Sequence, residues 1–481
     1  MNYSILRYIL GYVLKIEAAF MLLPCVTSLI YHEEEGRYFF AVACICMLIG
    51  VLMTLHKPKS TTFYLKEGCL ATSLSWILLS LFGAIPFWIS GEIPHWEDAL
   101  FETISGFTTT GATVLGNVEA LSHTALIWRS FTHWIGGMGV LVFVLVLTSL
   151  DKKNSMYLMR AEVPGPEKDK LVPKAMSTAR ILYGMYLIMT VVEIIFLMLG
   201  GVNLFDSMIF SFGSAGTGGF SNYADSVAHF HSAYIDGVIT TFCALFGVNF
   251  SLFYFMLLGD FKSVRKNEEL RTYIMLIVGA TALITLNIHS MFPSMIKAFR
   301  YAIFQVVTVI TTTGYATTDF AKWPMFSKSI LMMLTVVGAC ASSTGGGIKV
   351  SRLLVGIKCI KREIVQLAHP KSVGIIRIGG KKVGSDILRT IYIYFIAYVG
   401  ILIVSVMLVS LDNFDFETTF SAVLTTLGNV GPGMAKVGPM GNFADFSILS
   451  KLVLCFDMLA GRLEIFPFLV LFTAPAWRRK F

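Results

Sequence analysis

Four times along the chain, at intervals of roughly a hundred residues, an apolar stretch runs into a short threonine- or glycine-rich segment and out into another apolar stretch. The segments are TTTGAT (Thr108 to Thr113), GTGGFS (Gly216 to Ser221), TTTGYATTDF (Thr311 to Phe320) and GNVGPG (Gly428 to Gly433). Recurrence at a fixed interval constrains the architecture more than any local pattern, because each unit repeats one supersecondary element. Within a membrane, non-helical backbone between spanning helices is tolerated only where it lines a wet path or is buried in protein. Four such segments from one chain can close a ring of backbone carbonyls around an axis, the geometry of a cation filter. Any one of them alone would also suit a tight turn between hairpin helices; the register of all four favours the filter.

Composition makes the membrane the solvent. Hydrophobic residues are 55% of the chain and charged residues 14%, which fits a polytopic membrane protein and excludes an ordinary soluble domain. Runs long enough to cross about 30 Å of hydrocarbon are Phe39 to Leu55, Cys69 to Ile89, Ala125 to Leu150, Ile181 to Val202, Tyr234 to Leu258, Thr272 to Ile288, Ile391 to Leu411 and Ile448 to Phe472. A further run, Ile5 to Tyr31, carries Lys15 and Glu17 inside it. Its length, and the lack of a small-residue cleavage site, favour a retained spanning helix over a cleaved signal sequence. The eight cysteines lie mostly in apolar stretches without metal-ligand spacing and read as small apolar fillers.

The net charge of +8 is a matter of topology rather than nucleic-acid affinity. Lysine and arginine crowd into alternate loops: Lys57, Lys59 and Lys66; Lys152 to Arg180; Lys262 to Arg271; Lys349 to Arg389; and the terminal Arg478, Arg479 and Lys480. Under the positive-inside rule these loops, and with them both termini, are cytoplasmic. The intervening connections carry acids such as Glu33, Glu34, Glu35, Glu92, Glu97 and Asp98.

Counting crossings between basic loops gives an all-α polytopic fold: an N-terminal helix pair (1–60) and four repeats at 61–155, 156–265, 266–365 and 366–481 around a central pore. Each repeat leaves the cytoplasm on a spanning helix, dips part-way back from outside on a half-helix, and returns on a second spanning helix. The half-helices are Trp96 to Phe107, Leu204 to Gly213, Met295 to Ile310 and Phe416 to Thr426, each shorter than the ~20 residues a crossing needs. With their C-terminal ends at mid-membrane, four macrodipoles of about −0.5 charge each favour a cation there. No Asp or Glu stands at the heart of the segments, which argues against a carboxylate-ring filter. The ring-forming glycines are Gly111, Gly219, Gly314 and Gly431, since glycine turns a carbonyl inward without steric cost. The preceding pairs, Thr109 and Thr110, Thr217 and Gly218, Thr312 and Thr313, and Asn429 and Val430, supply further oxygens to replace an ion's water.

With these residues in view, the chain resembles the TrkH branch of the Trk/Ktr/HKT superfamily of potassium transporters. The resemblance covers nearly the whole length and includes HWIGGMG (His133 to Gly139), ASSTGGGIKVSR (Ala341 to Arg352) and GRLEIFP (Gly461 to Pro467). It implies the pseudo-fourfold repeat, potassium as the transported ion, and a homodimer in the bacterial cytoplasmic (inner) membrane. It also implies a cytosolic regulatory subunit of the TrkA type, which alone would carry the nucleotide. The filter segments differ from one another and none reads TVGYG; Pro432 directly follows the last ring glycine. Selectivity among monovalent cations is therefore expected to be looser than in a tetrameric potassium channel.

Two constellations accompany the filter. The third repeat's exit helix runs apolar from Leu331 to Ala341 and is then interrupted by Ser342, Ser343, Thr344, Gly345, Gly346 and Gly347, with Lys349 just beyond. Three glycines cost a helix about 1 kcal/mol each, so the segment reads as a gate beneath the filter, or as a static kink. TGGGIK lacks the Ser/Thr ending and the preceding strand of a phosphate-binding loop. Arg462 sits deep in the last apolar run, near Asp457 and Glu464 in sequence. An intramembrane arginine is a functional candidate. The resemblance places it facing the pore, where it would oppose cations; a structural ion pair with an acid on another helix is the alternative. His133 and Trp134 read as packing or interfacial residues. The expected function is channel-like, gated potassium uptake, with no enzymatic activity: no HExxH or paired catalytic acids occur in the spans. A Na+- or H+-coupled symporter on the same fold is the alternative, and buried acids such as Glu193 leave it open.

Overall fold

The structure, a computed structural model, describes residues 2–58, 64–139, 175–372 and 374–477. Lys59, the basic stretch from Lys152 to Lys174, the end of the Ala125 to Leu150 run and the terminal Arg478 to Lys480 lie outside them. Among the described residues six helices are long and apolar enough to cross a membrane, or seven if one bent pair counts as a span. The protein is a multi-pass helical membrane protein.

Helices α1 (Tyr3–Phe20) and α2 (Leu22–Tyr31) make the first span, and α3 (Gly36–Thr54) returns against α1. One pattern then recurs. A long helix α4 (Leu65–Ser90) leads to the half-helix α5 (Trp96–Phe107) and to α6 (His123–Met138). The second unit is α7 (Ala175–Leu199), α8 (Leu204–Gly216), α9 (Ala233–Phe246) and α10 (Phe250–Leu257). The third is α11 (Glu268–Ile288), α12 (Met295–Ile310) and α13 (Met325–Val337). After α14 (Val350–Ala368) and a small antiparallel hairpin pairing Arg377 with Lys382, the fourth is α15 (Ser385–Val409), α16 (Phe416–Leu427) and α17 (Ile448–Arg462). The half-helices α8, α12 and α16 start on side-chain caps from Asn203, Ser294 and Asp415, which satisfy amides the first turn leaves without partners. Tyr3 and Trp477 lie together, the Tyr3 hydroxyl donating to the Trp477 carbonyl at 2.6 Å.

Two expected continuous helices are broken. Tyr234 to Leu258 divides into α9 and α10, bent by 92°. The groups this frees are paired with the break in the third repeat: Cys340 N–H donates to Gly247 O at 3.1 Å, Phe250 N–H to Ser342 O at 3.1 Å, and the Thr344 hydroxyl to Phe246 O at 3.2 Å. Each interruption supplies the partners the other needs, which is what allows irregular backbone at membrane depth. Ile448 to Phe472 also divides. α17 ends where Ile465 N–H reaches back to Ala460 O and Glu464 N–H to Gly461 O, with both residues at positive φ, before a short turn of helix Phe466–Leu469. In the third repeat the helix stops at Val337, earlier than expected, because Gly338 takes φ +72°. The second half-helix runs on to Gly216 rather than Gly213.

Candidate ion-conduction site

All four half-helices end in the same turn. Thr110 N–H donates to Ser105 O, Gly218 N–H to Gly213 O, Thr313 N–H to Thr308 O and Val430 N–H to Thr425 O, at 2.8 to 2.9 Å. One residue earlier, Thr109, Thr217, Thr312 and Asn429 donate three residues back at 3.0 to 3.1 Å. This is the Schellman pattern, whose left-handed residue is usually glycine. Here it is threonine three times and asparagine once, at φ between 55° and 60°. A β-branched residue in that region costs of order 1–3 kcal/mol and persists where surrounding structure holds it. The ring glycines follow two residues on, at φ 77°, 78°, 80° and 92°.

The four turns close on one another in order. A Cβ on Gly111 would lie 1.9 Å from the Gly218 carbonyl oxygen, one on Gly219 1.9 Å from that of Thr313, one on Gly314 2.3 Å from that of Val430, and one on Gly431 2.5 Å from that of Thr110. First segment meets second, second meets third, third meets fourth, and fourth meets first. No side chain fits at any of the four. All four ring glycines line a single cavity, while the side chains of Thr109, Thr110, Thr217, Thr312, Thr313, Asn429 and Val430 are fully buried behind it. Among the described residues no three His, Cys, Asp or Glu gather to hold a metal ion; the oxygens between neighbouring segments are main-chain carbonyls.

Each half-helix also braces the chain just beyond its ring glycine. Glu102 accepts from the Thr113 hydroxyl at 3.0 Å and Val114 N–H at 3.1 Å. Asp206 accepts from the Asn222 amide and, at 2.8 Å, from the Tyr223 hydroxyl. The Gln305 amide donates to the Thr317 hydroxyl at 3.4 Å, and Ser421 accepts from Met434 N–H at 2.9 Å. These residues were not singled out in the sequence. Buried polar residues about ten positions ahead of the ring glycines, Glu102, Asp206, Gln305 and Ser421, were the available signal.

The interrupted segment of the third repeat is packed against the turns that end the third and fourth half-helices. A Cβ on Gly345 would come within 2.8 Å of Thr311 O, and one on Gly346 within 2.5 Å of Gly428 O. Gly346 N–H donates to the Thr312 hydroxyl at 2.6 Å. Ser343 bonds to Cys340 O at 2.6 Å, Lys349 Nζ caps the Gly345 carbonyl, and the Glu269 carboxylate receives the amides of Ala341 and Ser351 at either end. Arg462 donates to Thr344 O at 2.6 Å and to the carbonyls of Gly136 and Gly137. It therefore joins three repeats through backbone oxygens. Glu464 pairs instead with Arg352, and Asp457 accepts from Ser405 at 2.7 Å. Ser342 is half-buried, and Thr344 and Gly345 to Gly347 are buried.

The HWIGGMG stretch has a local explanation. A Cβ on Gly136 would strike Phe107 O at 1.9 Å and one on Gly137 would strike Gly216 Cα at 2.7 Å, so α6 lies directly on the ends of the first two half-helices. Trp134 packs on Phe131 and donates to Thr190 at 3.2 Å.

The sequence profile of the TrkH family, described as a cation transport protein, matches residues 36–478. The chain is 35% identical to the Trk system potassium uptake protein TrkH of Salmonella typhimurium, over 99% of this chain and 100% of that one. It is 31% identical to the Trk system potassium uptake protein TrkG of Escherichia coli K12, over 98% of both chains. Its fold is similar to the crystal structure of the potassium transporter TrkH from Vibrio parahaemolyticus, with a TM-score of 0.90 and 31% identity over 99% of this chain and 100% of that one. With the four-segment ring, the multi-pass helices and these matches together, the chain belongs to the TrkH family of cation transport proteins.

Proposed function

We propose that this chain is the ion-conducting subunit of a potassium uptake system, with Thr109, Thr110, Gly111, Thr217, Gly218, Gly219, Thr312, Thr313, Gly314, Asn429, Val430 and Gly431 as its filter. The cyclic approach of each ring glycine to the next segment's carbonyl carries the reading. Carbonyls so placed replace the water of a monovalent cation, and four half-helix C-termini supply negative potential without a carboxylate. Relatives named as potassium uptake proteins support potassium as the ion. The repeats are taken at 61–155, 156–265, 266–365 and 366–481 after an N-terminal pair, with both termini cytoplasmic.

Ser342 to Gly347, Lys349 and Arg462 form the gate. The segment is seated against the third and fourth filter turns and held by Arg462, so releasing it clears the path. Lys349 and Arg352 are buried, so the basic surface from Lys358 to Arg389 is where a TrkA-type nucleotide-binding subunit would act, on a homodimer in the cytoplasmic membrane. Complementation of a potassium-uptake-deficient bacterium tests the filter: the wild type restores growth at low potassium, whereas Gly111→Ser and Gly314→Ser do not. Growth with both variants contradicts the reading.

One observation favours coupled symport as a second reading. Glu193 is fully buried in α7 beside Ser214, and among the described residues neither carboxylate oxygen has a partner at full hydrogen-bond geometry. Reversal potentials measured against sodium and pH gradients separate the two.

A further inference from the structure

Helix α6 carries two side chains one turn apart that each hold the first half-helix with one atom and the second filter segment with another. The Arg129 Nε donates to Glu102 at 2.7 Å, and its Nη1 to the Ser221 carbonyl at 3.1 Å. Its guanidinium also lies 3.9 Å from the centre of the Phe220 ring. His133 contacts the Gly106 carbonyl through Nδ1 at 2.7 Å and receives Phe220 N–H on Nε2 at 3.2 Å. A neutral imidazole with its proton on Nδ1 satisfies both bonds. Phe220 is thus gripped between Arg129 and His133 directly after the ring glycine Gly219, while Glu102 and Gly106 belong to the helix that ends at the first filter turn. Glu102 and Arg129 are 1% and 2% exposed.

At the filter the other seams use neutral bonds, such as the Tyr315 hydroxyl to the carbonyls of Phe210 and Phe220 and the Asn429 amide to the Thr110 hydroxyl; their charged pairs lie farther out. Asp236 pairs with Arg300, Lys328 with Glu417 and Lys451 with Asp98, all near the starts of half-helices and about 15 Å of helix rise from the filter turns. Those pairs hold the far ends. Arg129 and His133 act at the filter itself.

We infer that Arg129 and His133 are positioning residues that fix the spacing between the first and second filter segments and so set which monovalent cations pass. The inference rests on the filter reading above. Carbonyl rings discriminate ions by the number and placement of their oxygens, and interiors are packed too tightly to absorb a shift of one segment against another. Glu102 with Arg129 forms a buried charged pair whose removal one partner at a time leaves an uncompensated charge. The third repeat shows a neutral solution: Gln305 stands as far ahead of Gly314 as Glu102 does of Gly111, and braces its own segment without an arginine.

The test is a set of bi-ionic reversal potentials for potassium against lithium, sodium, rubidium and caesium, with the purified full-length chain in planar bilayers. The variants are Glu102→Gln/Arg129→Gln, His133→Leu and His133→Gln, with Asp236→Asn as a distant control. The double variant and His133→Leu are expected to shift at least one permeability ratio by about fivefold, the lower end of ordinary coupling between sites. His133→Gln, which keeps a donor and an acceptor, restores the ratio toward wild type, and Asp236→Asn leaves all ratios unchanged. Unchanged ratios in folded double-variant and His133→Leu proteins overturn the inference while leaving the filter standing. A wild-type protein and an Arg462→Ala variant, with the gate's latch removed, that both pass no cations overturn the filter reading and this inference with it.

Discussion

The Arg462 guanidinium donates to the Thr344 carbonyl at 2.6 Å, so helix α17 holds the middle of the third repeat's glycine-rich break against the turns that end α12 and α16. The same side chain reaches Gly136 and Gly137, so it ties the break to the helix of the first repeat through main-chain carbonyls, as a latch on the segment would. Arg462→Ala is expected to raise cation flux in proteoliposomes by about tenfold, equal to a coupling loss of about 1.4 kcal/mol. Unchanged or abolished flux in a folded variant assigns the arginine to structure alone.

A second hold on the same segment is the Thr312 hydroxyl, which accepts Gly346 N–H. Thr312→Val keeps the shape and removes the acceptor. A buried amide left without a partner costs about 1–3 kcal/mol. Amide exchange across residues 342–349 should therefore speed up while the half-helices stay protected. Exchange as slow as wild type means that this bond does not seat the segment.

Much of this arrangement was legible in the sequence because it depends on glycine and on length. The ring glycines sit where no Cβ fits, and the short stretches before them, from Trp96 and Met295 in particular, end at the residues expected. The breaks after Phe246 and Arg462 could have been read from Gly247 and the capping Asn249 in the first and from Pro467 just past the second. What stays hidden is the positive φ of Glu464 and Ile465, which their residue types do not signal. The left-handed threonines were hidden for the same reason: TTTG states which residues are present, not that the middle one reverses the backbone. Arg129 could have been found. It lies in an apolar run as Arg462 does, and the cost of burying an unpartnered charge applies equally to both.

At the opposite end of α6, Glu33 ties the N-terminal helix pair to the pore. It accepts from the amides of His123 and Thr124 at 2.8 and 2.9 Å and from the Thr124 hydroxyl at 2.7 Å. Partial burial alone would raise its pKa, but these bonds outweigh burial and hold it below the usual glutamate value. A depressed carboxylate stabilises the fold above its unfolded pKa, about 4.3, and that contribution is lost as pH falls through the lower folded value. Protection of the His123 and Thr124 amides, measured against the intrinsic exchange rate at each pH, should fall on acidification below about pH 4.3. Glu33→Gln should show a flatter dependence. An equal acid response in wild type and variant contradicts the assignment.

Glu193 separates the two transport readings. Under the channel-like reading Glu193→Gln preserves the carboxamide-sized volume and leaves flux within about twofold of wild type, the range of ordinary context effects. Loss of pH-driven uptake with folding intact would instead establish coupling through this acid.

The most direct test of the ring is the position of the ion. Crystals or cryo-EM grids prepared with rubidium or thallium should show density on the axis enclosed by Gly111, Gly219, Gly314 and Gly431, within reach of the carbonyls of Thr110, Gly218, Thr313 and Val430. A well-resolved map with those four glycines around an axis that holds no ion, and with the heavy ion bound elsewhere along the path, would contradict the account.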